Sequence, residues 1–215
     1  MLEARQHRIR NLIQKRQAHF TVILENVRDP HNIGAVLRTC DAVGIREIFL
    51  IYPQEEGRDQ FTLGKRSSSG ARKWVDVYEF NDLKTGFEFV RNRGYDQIWA
   101  TKIVQGSKDL YEIDFTQKIA LLFGNEHFGV SDEAAGYADG NFIIPQVGMV
   151  QSLNISVACA VTLYEGYRQR DLKGFYTDNQ TIPATEQNAM FDLYAEREKL
   201  RIKGKNSIKI DRSGV

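Results

Sequence analysis

Long apolar runs, paired cysteines and the familiar nucleotide-binding loops are all missing from this chain of 215 residues. No apolar stretch approaches the roughly 20 residues that cross a bilayer. The opening Met1-Leu2-Glu3-Ala4-Arg5 carries no apolar leader core, so a cytoplasmic protein is expected, with no membrane partner. Only Cys40 and Cys159 bear thiols. Lacking CxxC or Cys/His spacing, they argue against a disulfide framework and a zinc site; both sit in apolar helical patterns and read as core residues. No metal is expected. Neither GxGxxG nor GxxxxGK followed by Ser or Thr occurs, which removes the usual dinucleotide loop and the P-loop. A nucleotide-like ligand would instead be captured by backbone groups of neighbouring loops, for which Gly124, Ile144 and the stretch Gly148 to Leu153 are suited.

What the chain does have is enough apolar content, 42%, for one sizeable core with length left over for appendages. Its net charge of +1 hides an uneven distribution. Residues 1–19 hold Arg5, Arg8, Arg10, Lys15 and Arg16 against Glu3, giving +4. Residues 186–215 give +2, from Arg197, Lys199, Arg201, Lys203, Lys205, Lys209 and Arg212 against Glu186, Asp192, Glu196, Glu198 and Asp211. The middle is left with −5. Basic ends around an acidic body suit a catalytic core whose appendages hold a polyanion; the plainer alternative is solvated helix faces.

Apolar periodicity predicts strands over Phe20–Leu24, Ile48–Tyr52, Trp74–Tyr78, Gln97–Thr101, Lys118–Phe123 and Asn141–Ile144. Helical spacing falls between them, from Ile33 to Gly44, from Asn81 or Asp82 to about Asn92, from about Ser131, and from Ser152 to about Arg170. Such alternation predicts an α/β fold, a parallel sheet with helices on both faces. Leu2 to Gln17 is predicted as a docked basic helix with Leu2, Ile9, Leu12 and Ile13 on its apolar stripe. Glu186 to about Lys203 is predicted as a charged helix docking on the body, a partner subunit or substrate. The resulting division is a basic N-terminal helix (1–19), an α/β domain (20–172) and a helical basic C-terminal extension (173–215). Between Gly64 and Lys73, cationic side chains among small residues form a loop able to wrap a phosphate backbone.

Three polar clusters each follow a predicted strand and precede helical sequence. They are Asn32-Ile33-Gly34-Ala35-Val36-Leu37-Arg38, Leu122-Phe123-Gly124-Asn125-Glu126-His127-Phe128-Gly129, and Ile144-Pro145 through Ser152-Leu153-Asn154-Ile155-Ser156. Open parallel sheets bind ligands at the carboxyl ends of their strands, so the clusters share a position that favours one composite site. Helix capping by Ser152 and Asn154 is the bland reading of the third. Arg38 lies under two turns from Asn32, where a guanidinium suits a phosphate or a developing oxyanion; its alternative is a salt bridge to Asp41 or Glu25. Glu126 is suited to anchoring such an arginine or a ligand hydroxyl. His127, a lone loop histidine, is left outside the mechanism.

In order and spacing, these clusters resemble the three motifs of the SpoU/TrmH family of RNA ribose 2′-O-methyltransferases, in the SPOUT superfamily, over roughly residues 20–170. The resemblance implies an α/β fold ending in a deep trefoil knot and a homodimer packed through the knot region. It implies S-adenosylmethionine lined by Thr101, Gly124, Ile144 and Leu153, and catalytic surroundings formed by Asn32, Arg38, Glu126, Ser152 and Asn154. A short basic N-terminal helix with a helical C-terminal extension is similar to family members that methylate guanosine 18 in the tRNA D-loop. Ribosomal RNA as substrate is the alternative, and a non-catalytic RNA-binding protein is the reading from another class. RNA contacts are expected at Arg5, Arg8, Arg10, Lys65, Arg66, Arg72 and the basic C-terminal stretch.

Overall fold

The computed structural model describes residues 2–53, 70–150, 152–177 and 181–202. Among these residues, seven strands form one sheet: β1 (Phe20–Glu25), β2 (Glu47–Ile51), β3 (Asp76–Phe80), β4 (Gln97–Thr101), β5 (Lys108–Asp109), β6 (Ile119–Phe123) and β7 (Gly140–Ile143). Their order is β3-β2-β1-β6-β4-β7-β5, and every pairing is parallel. The helices are α1 (Glu3–Gln14), α2 (Pro30–Ala42), α3 (Leu83–Asn92), α4 (Asp132–Ala135), α5 (Ile155–Leu172) and α6 (Ala184–Ile202).

Alternation along each strand sorts its side chains onto two faces. Val22, Leu24, Ile48, Leu50, Leu121 and Phe123 join one core with Val36, Leu37 and Cys40 of α2 and Cys159 and Leu163 of α5. Ile23, Phe49, Ile51, Ala120 and Leu122 face the other way, into a core with Leu83, Phe87 and Val90 of α3 and Ala134 of α4. Being covered on both sides, the central strands are apolar throughout, which is why they read as runs rather than alternations. Both thiols are fully buried, and burial pushes their pKa values up, so they are inert packing groups.

Strand β3 begins two residues later than the apolar pattern implies. Residues Ala71–Lys73 wind into a 3-10 turn, and the Trp74 carbonyl accepts from Arg16 Nη2 and from the Tyr194 hydroxyl, each at 2.8 Å. Those bonds consume an acceptor that the ladder would otherwise use. At the other end of the chain, α6 docks on the body through α1. Ile9, Ile13 and Tyr194 make a small separate core with Leu12, Trp74, Met190 and Phe191 around it. Arg197 pairs with Asp76 and Arg46 with Glu186. Leu2, expected on the apolar stripe, is instead 83% exposed, because it precedes the helix in an extended conformation.

Helix α5 is fastened by a buried cation. Arg170 is 1% exposed and donates to the carbonyls of Phe115 (2.8 Å), His19 (2.9 Å) and Gln117 (2.7 Å) and to Gln17 Oε1 (3.1 Å). Burial lowers its pKa to about 10, which still leaves it charged at neutral pH. Satisfied donors make this burial tolerable, and they tie the end of α5 to the starts of β1 and β6.

Candidate active site

In a parallel sheet all carboxyl ends lie along one edge, so the segments after β1, β4, β6 and β7 converge there. A cavity of roughly 260 Å³ opens among them, lined by Thr101 to Ile103, Phe123 to His127, Phe142 to Ile144, and Ser152, Leu153 and Ile155 with their neighbours. It holds all four residues expected around the cofactor, Thr101, Gly124, Ile144 and Leu153, together with Glu126 and Ser152. Apolar side chains and loop backbone dominate its wall. This composition suits a ligand whose adenosyl part is gripped by main-chain groups without a phosphate-binding loop.

Three segments far apart in sequence are joined by one amide. Asn32 Nδ2 donates to Glu126 Oε1 at 2.7 Å, and Asn32 Oδ1 accepts from Asn154 Nδ2 at 3.2 Å. Asn32 owes its place to the start of α2. Asp29 is the N-cap, accepting from His31 N–H at 2.8 Å, and Pro30 occupies the first helical position, which sets Asn32 in the first turn. The amide has both a donor and an acceptor, and each is used; a carboxylate, which only accepts, would not bridge these partners.

Around Glu126 the backbone leaves no room for error. A Cβ on Gly124 would lie 2.1 Å from the Gly129 carbonyl group, so only glycine fits. Asn125 and Gly129 exchange backbone bonds of 3.1 and 2.8 Å, closing a small loop that carries Glu126. From outside, Asn125 Nδ2 holds the Asn26 carbonyl at 3.0 Å, and Ser131 N–H donates to buried Glu25 at 2.9 Å. Asn26 and Lys102 had no signal in the spacing of residues; only their strand-end positions hinted at them.

Asn154 is the N-cap of α5, its Oδ1 accepting from Ser156 N–H at 2.9 Å. It therefore caps the helix and contacts Asn32 at once. Ser152 does not cap: the helix starts three residues after it, and its position is on the cavity wall. Arg38 is exposed on α2. Of the two partners expected for it, Asp41 takes Arg16 at 2.6 Å, and Glu25 takes Ser131.

The expected RNA contacts differ among themselves. Arg8 is exposed on α1. Arg5 is paired with Glu198 at 3.1 Å, and Arg10 lies 4.2 Å over the Phe191 ring. Arg72 is half-buried, and burial lowers its pKa. Lys65, Arg66 and the last basic stretch from Lys203 lie outside the described residues. Among the described residues no cluster of His, Cys, Asp and Glu could hold a metal ion, and no helix is long and apolar enough to cross a membrane.

Comparison with known proteins places this geometry in company. A profile described as the SpoU rRNA Methylase family matches residues 19–164. The tRNA (guanosine(18)-2'-O)-methyltransferase of Thermus thermophilus is 44% identical over 190 residues, spanning 88% of this chain and 95% of that protein. Among solved structures, the TrmH/SpoU tRNA modifying enzyme of A. aeolicus has a TM-score of 0.80 at 36% identity, covering 91% of this chain and 97% of its own. The SpoU methyltransferase AviRb from Streptomyces viridochromogenes, in complex with AdoMet, has a TM-score of 0.63 at 28% identity, covering 73% and 62%.

Proposed function

Because the chain belongs to the SpoU methylase family, we propose that it transfers a methyl group from S-adenosylmethionine to the ribose 2′-oxygen of guanosine 18 in tRNA. The observation that carries the site assignment is the Asn32 bridge between Glu126 and Asn154, beside a cavity lined by Thr101, Gly124, Ile144 and Leu153. The fit is chemical as well as spatial, since the wall combines apolar side chains and loop backbone with the polar groups of Glu126 and Ser152.

When bound, S-adenosylmethionine supplies an electrophilic methyl, whose bond to sulfur breaks with the electron pair staying on sulfur as the new bond to the ribose oxygen forms. The protein's task is to hold the two reactants in line and to favour loss of the hydroxyl proton. Arg38 is assigned to stabilise the developing alkoxide, since a guanidinium stays charged while the ribose proton leaves to solvent. Asn32 and Asn154 hold Glu126 in one orientation, so that its carboxylate orients the incoming ribose or Arg38. Ser152, on the cavity wall, completes the polar surroundings.

Beyond the reaction, the proposal includes a homodimer and a trefoil knot at the C-terminal half of the sheet. Support for the dimer is an apolar stripe on the outer side of α5, where Val157, Val161, Tyr164 and Leu172 recur at helical spacing with 47, 38, 54 and 76% exposure. Val147, Met149 and Val150 continue it on the loop before the helix. Support for the knot is the likeness to solved SpoU structures together with the placing of β4 between β6 and β7. RNA is assigned to Arg5, Arg8 and Arg10 in the basic N-terminal end, to Lys65, Arg66 and Arg72, and to the basic C-terminal stretch. A cytoplasmic enzyme acting on tRNA follows.

The test is transfer of labelled methyl from S-adenosylmethionine to a tRNA transcript, followed by nucleoside mapping. A single 2′-O-methylguanosine at position 18, lost when that nucleotide is 2′-deoxy, is expected; methylation confined to ribosomal RNA would overturn the substrate. Arg38→Ala is expected to abolish transfer while cofactor affinity stays nearly unchanged, and equal loss of both would sink its role. If the basic residues contact phosphates, tRNA affinity falls steeply as salt rises.

A further inference from the structure

One charged side chain on the cavity wall has no part in the transfer chemistry. Lys102 follows Thr101 at the end of β4, and its ammonium reaches across to the segment after β6. There it donates to the Val130 carbonyl at 2.6 Å and pairs with Asp132 Oδ1 at 2.8 Å. The Lys102 side chain is only 20% exposed, although Asp132 is 99% exposed. The ammonium holds the Asp132 carboxyl below its usual range, in keeping with a close ion pair.

Each end of this link is itself a closed unit. On the β4 side, the Lys102 N–H turns back to the Ala100 carbonyl at 3.0 Å, and the Lys102 carbonyl accepts from Ser107 Oγ at 2.8 Å. Ser107 Oγ also accepts from Val104 N–H at 3.0 Å, which closes residues 102–107 on themselves, with Ile103 on the cavity wall. On the β6 side, the bonds between Asn125 and Gly129 close the loop that begins with Gly124 and ends beside Val130. Lys102 thus ties the segment after β4, which lines the cavity at Lys102 and Ile103, to the end of the loop after β6, which lines it from Gly124 to His127 and at Gly129.

We propose that Lys102 is a positioning residue for S-adenosylmethionine, a clasp that fixes the loops after β4 and β6 in the arrangement the cofactor requires. The inference rests on the assignment of this cavity as the cofactor pocket. Lys102 touches neither Asn32, Glu126 nor Asn154 in the bonds observed, so its loss acts on cofactor binding and not on the transfer step. A charge-assisted bond to a main-chain oxygen is worth enough for about a tenfold change in affinity. The Val130 bond is expected to carry most of that effect, because Asp132 is in water and its pairing is screened.

The experiment measures KM for S-adenosylmethionine, KM for tRNA, kcat and the melting temperature of the ligand-free protein for Lys102→Met, Lys102→Arg, Asp132→Asn and Leu153→Trp. Lys102→Met is expected to raise the cofactor KM about tenfold with kcat within twofold and the tRNA KM unchanged. Lys102→Arg keeps donors at this place and is expected to recover most of the affinity, and Asp132→Asn to shift KM less than threefold. An unchanged cofactor KM in Lys102→Met, a fall in kcat alone, or a loss of ligand-free stability that accounts for the change would overturn the clasp. Leu153→Trp fills the cavity and tests the pocket separately: unaltered cofactor binding in that variant would overturn the pocket assignment itself.

Discussion

Replacing Asn32 by Asp keeps the shape of the side chain and turns its donor into a second acceptor facing Glu126. In the native protein that contact is 2.7 Å between Nδ2 and Oε1. Two carboxylate oxygens at the same separation repel by about 332/(εr), or about 1.5 kcal/mol in water and about 6 kcal/mol at an effective dielectric of 20. Glu126 is exposed, so a cost of about 3 kcal/mol is expected, equivalent to roughly a hundredfold fall in kcat if Glu126 must keep its native orientation in the transition state. Asn32→Ala removes both bonds without adding charge and is expected to lose about tenfold. The pH response separates the two variants. A carboxyl facing a carboxylate has a raised pKa, so lowering the pH places a proton between the two groups and recovers part of the Asn32→Asp loss relative to wild type, with no such recovery in Asn32→Ala. Asn32 does not line the cavity, and S-adenosylmethionine affinity by calorimetry is expected to stay within threefold in both. The reasoning is refuted if Asn32→Asp keeps more than half of the wild-type kcat, or if cofactor affinity falls as far as kcat does.

Three further outcomes can be measured directly. Gly166→Ala would put a Cβ 2.4 Å from Phe20 Cζ, in a ring with no exposure and so no room to turn; about 2 kcal/mol of overpacking is expected, lowering the melting temperature by about 4–8 °C. His19 has its pKa lowered by burial, then by Lys118, Arg46 and Arg170, so the unfolded chain binds this proton more readily than the folded one. Its contribution is therefore intact above the unfolded value near 6.5 and is lost as pH falls toward the lower folded value, and denaturant melts of His19→Asn should show a flatter profile over that window. Val161→Glu with Tyr164→Glu places charge on the exposed stripe of α5, and sedimentation is expected to show monomers where the wild type gives dimers; an unchanged dimer would move the interface elsewhere.

Much of the fold was legible because buried parallel strands and their crossover helices have no freedom in composition. β1, β4 and β6 lie where the apolar runs predict them, and Asp82, Ser131 and Asn154 cap α3, α4 and α5 through bonds to their own first turns. Local chemistry decides such features, and local sequence contains it. Where distant groups compete for a backbone acceptor, the pattern misleads, as at Trp74, whose carbonyl is taken by Arg16 and Tyr194 from opposite ends of the chain. The two-residue strand β5 left no apolar signature at all.

For the site, residue types and their strand-end positions determined which groups are candidates: Asn32, Glu126, Ser152 and Asn154 at one edge of the sheet, with the cofactor residues beside them. Tertiary structure alone decided which of them meet. The Asn32 bridge joins residues 94 and 122 positions away, and no local propensity encodes a contact whose closure depends on the whole sheet order. Lys102 makes the same point from the opposite direction. In sequence it is one lysine after a strand; in the fold its bond to Val130 ties together two loops that line the cavity, because parallel strands two apart in chain order lie side by side.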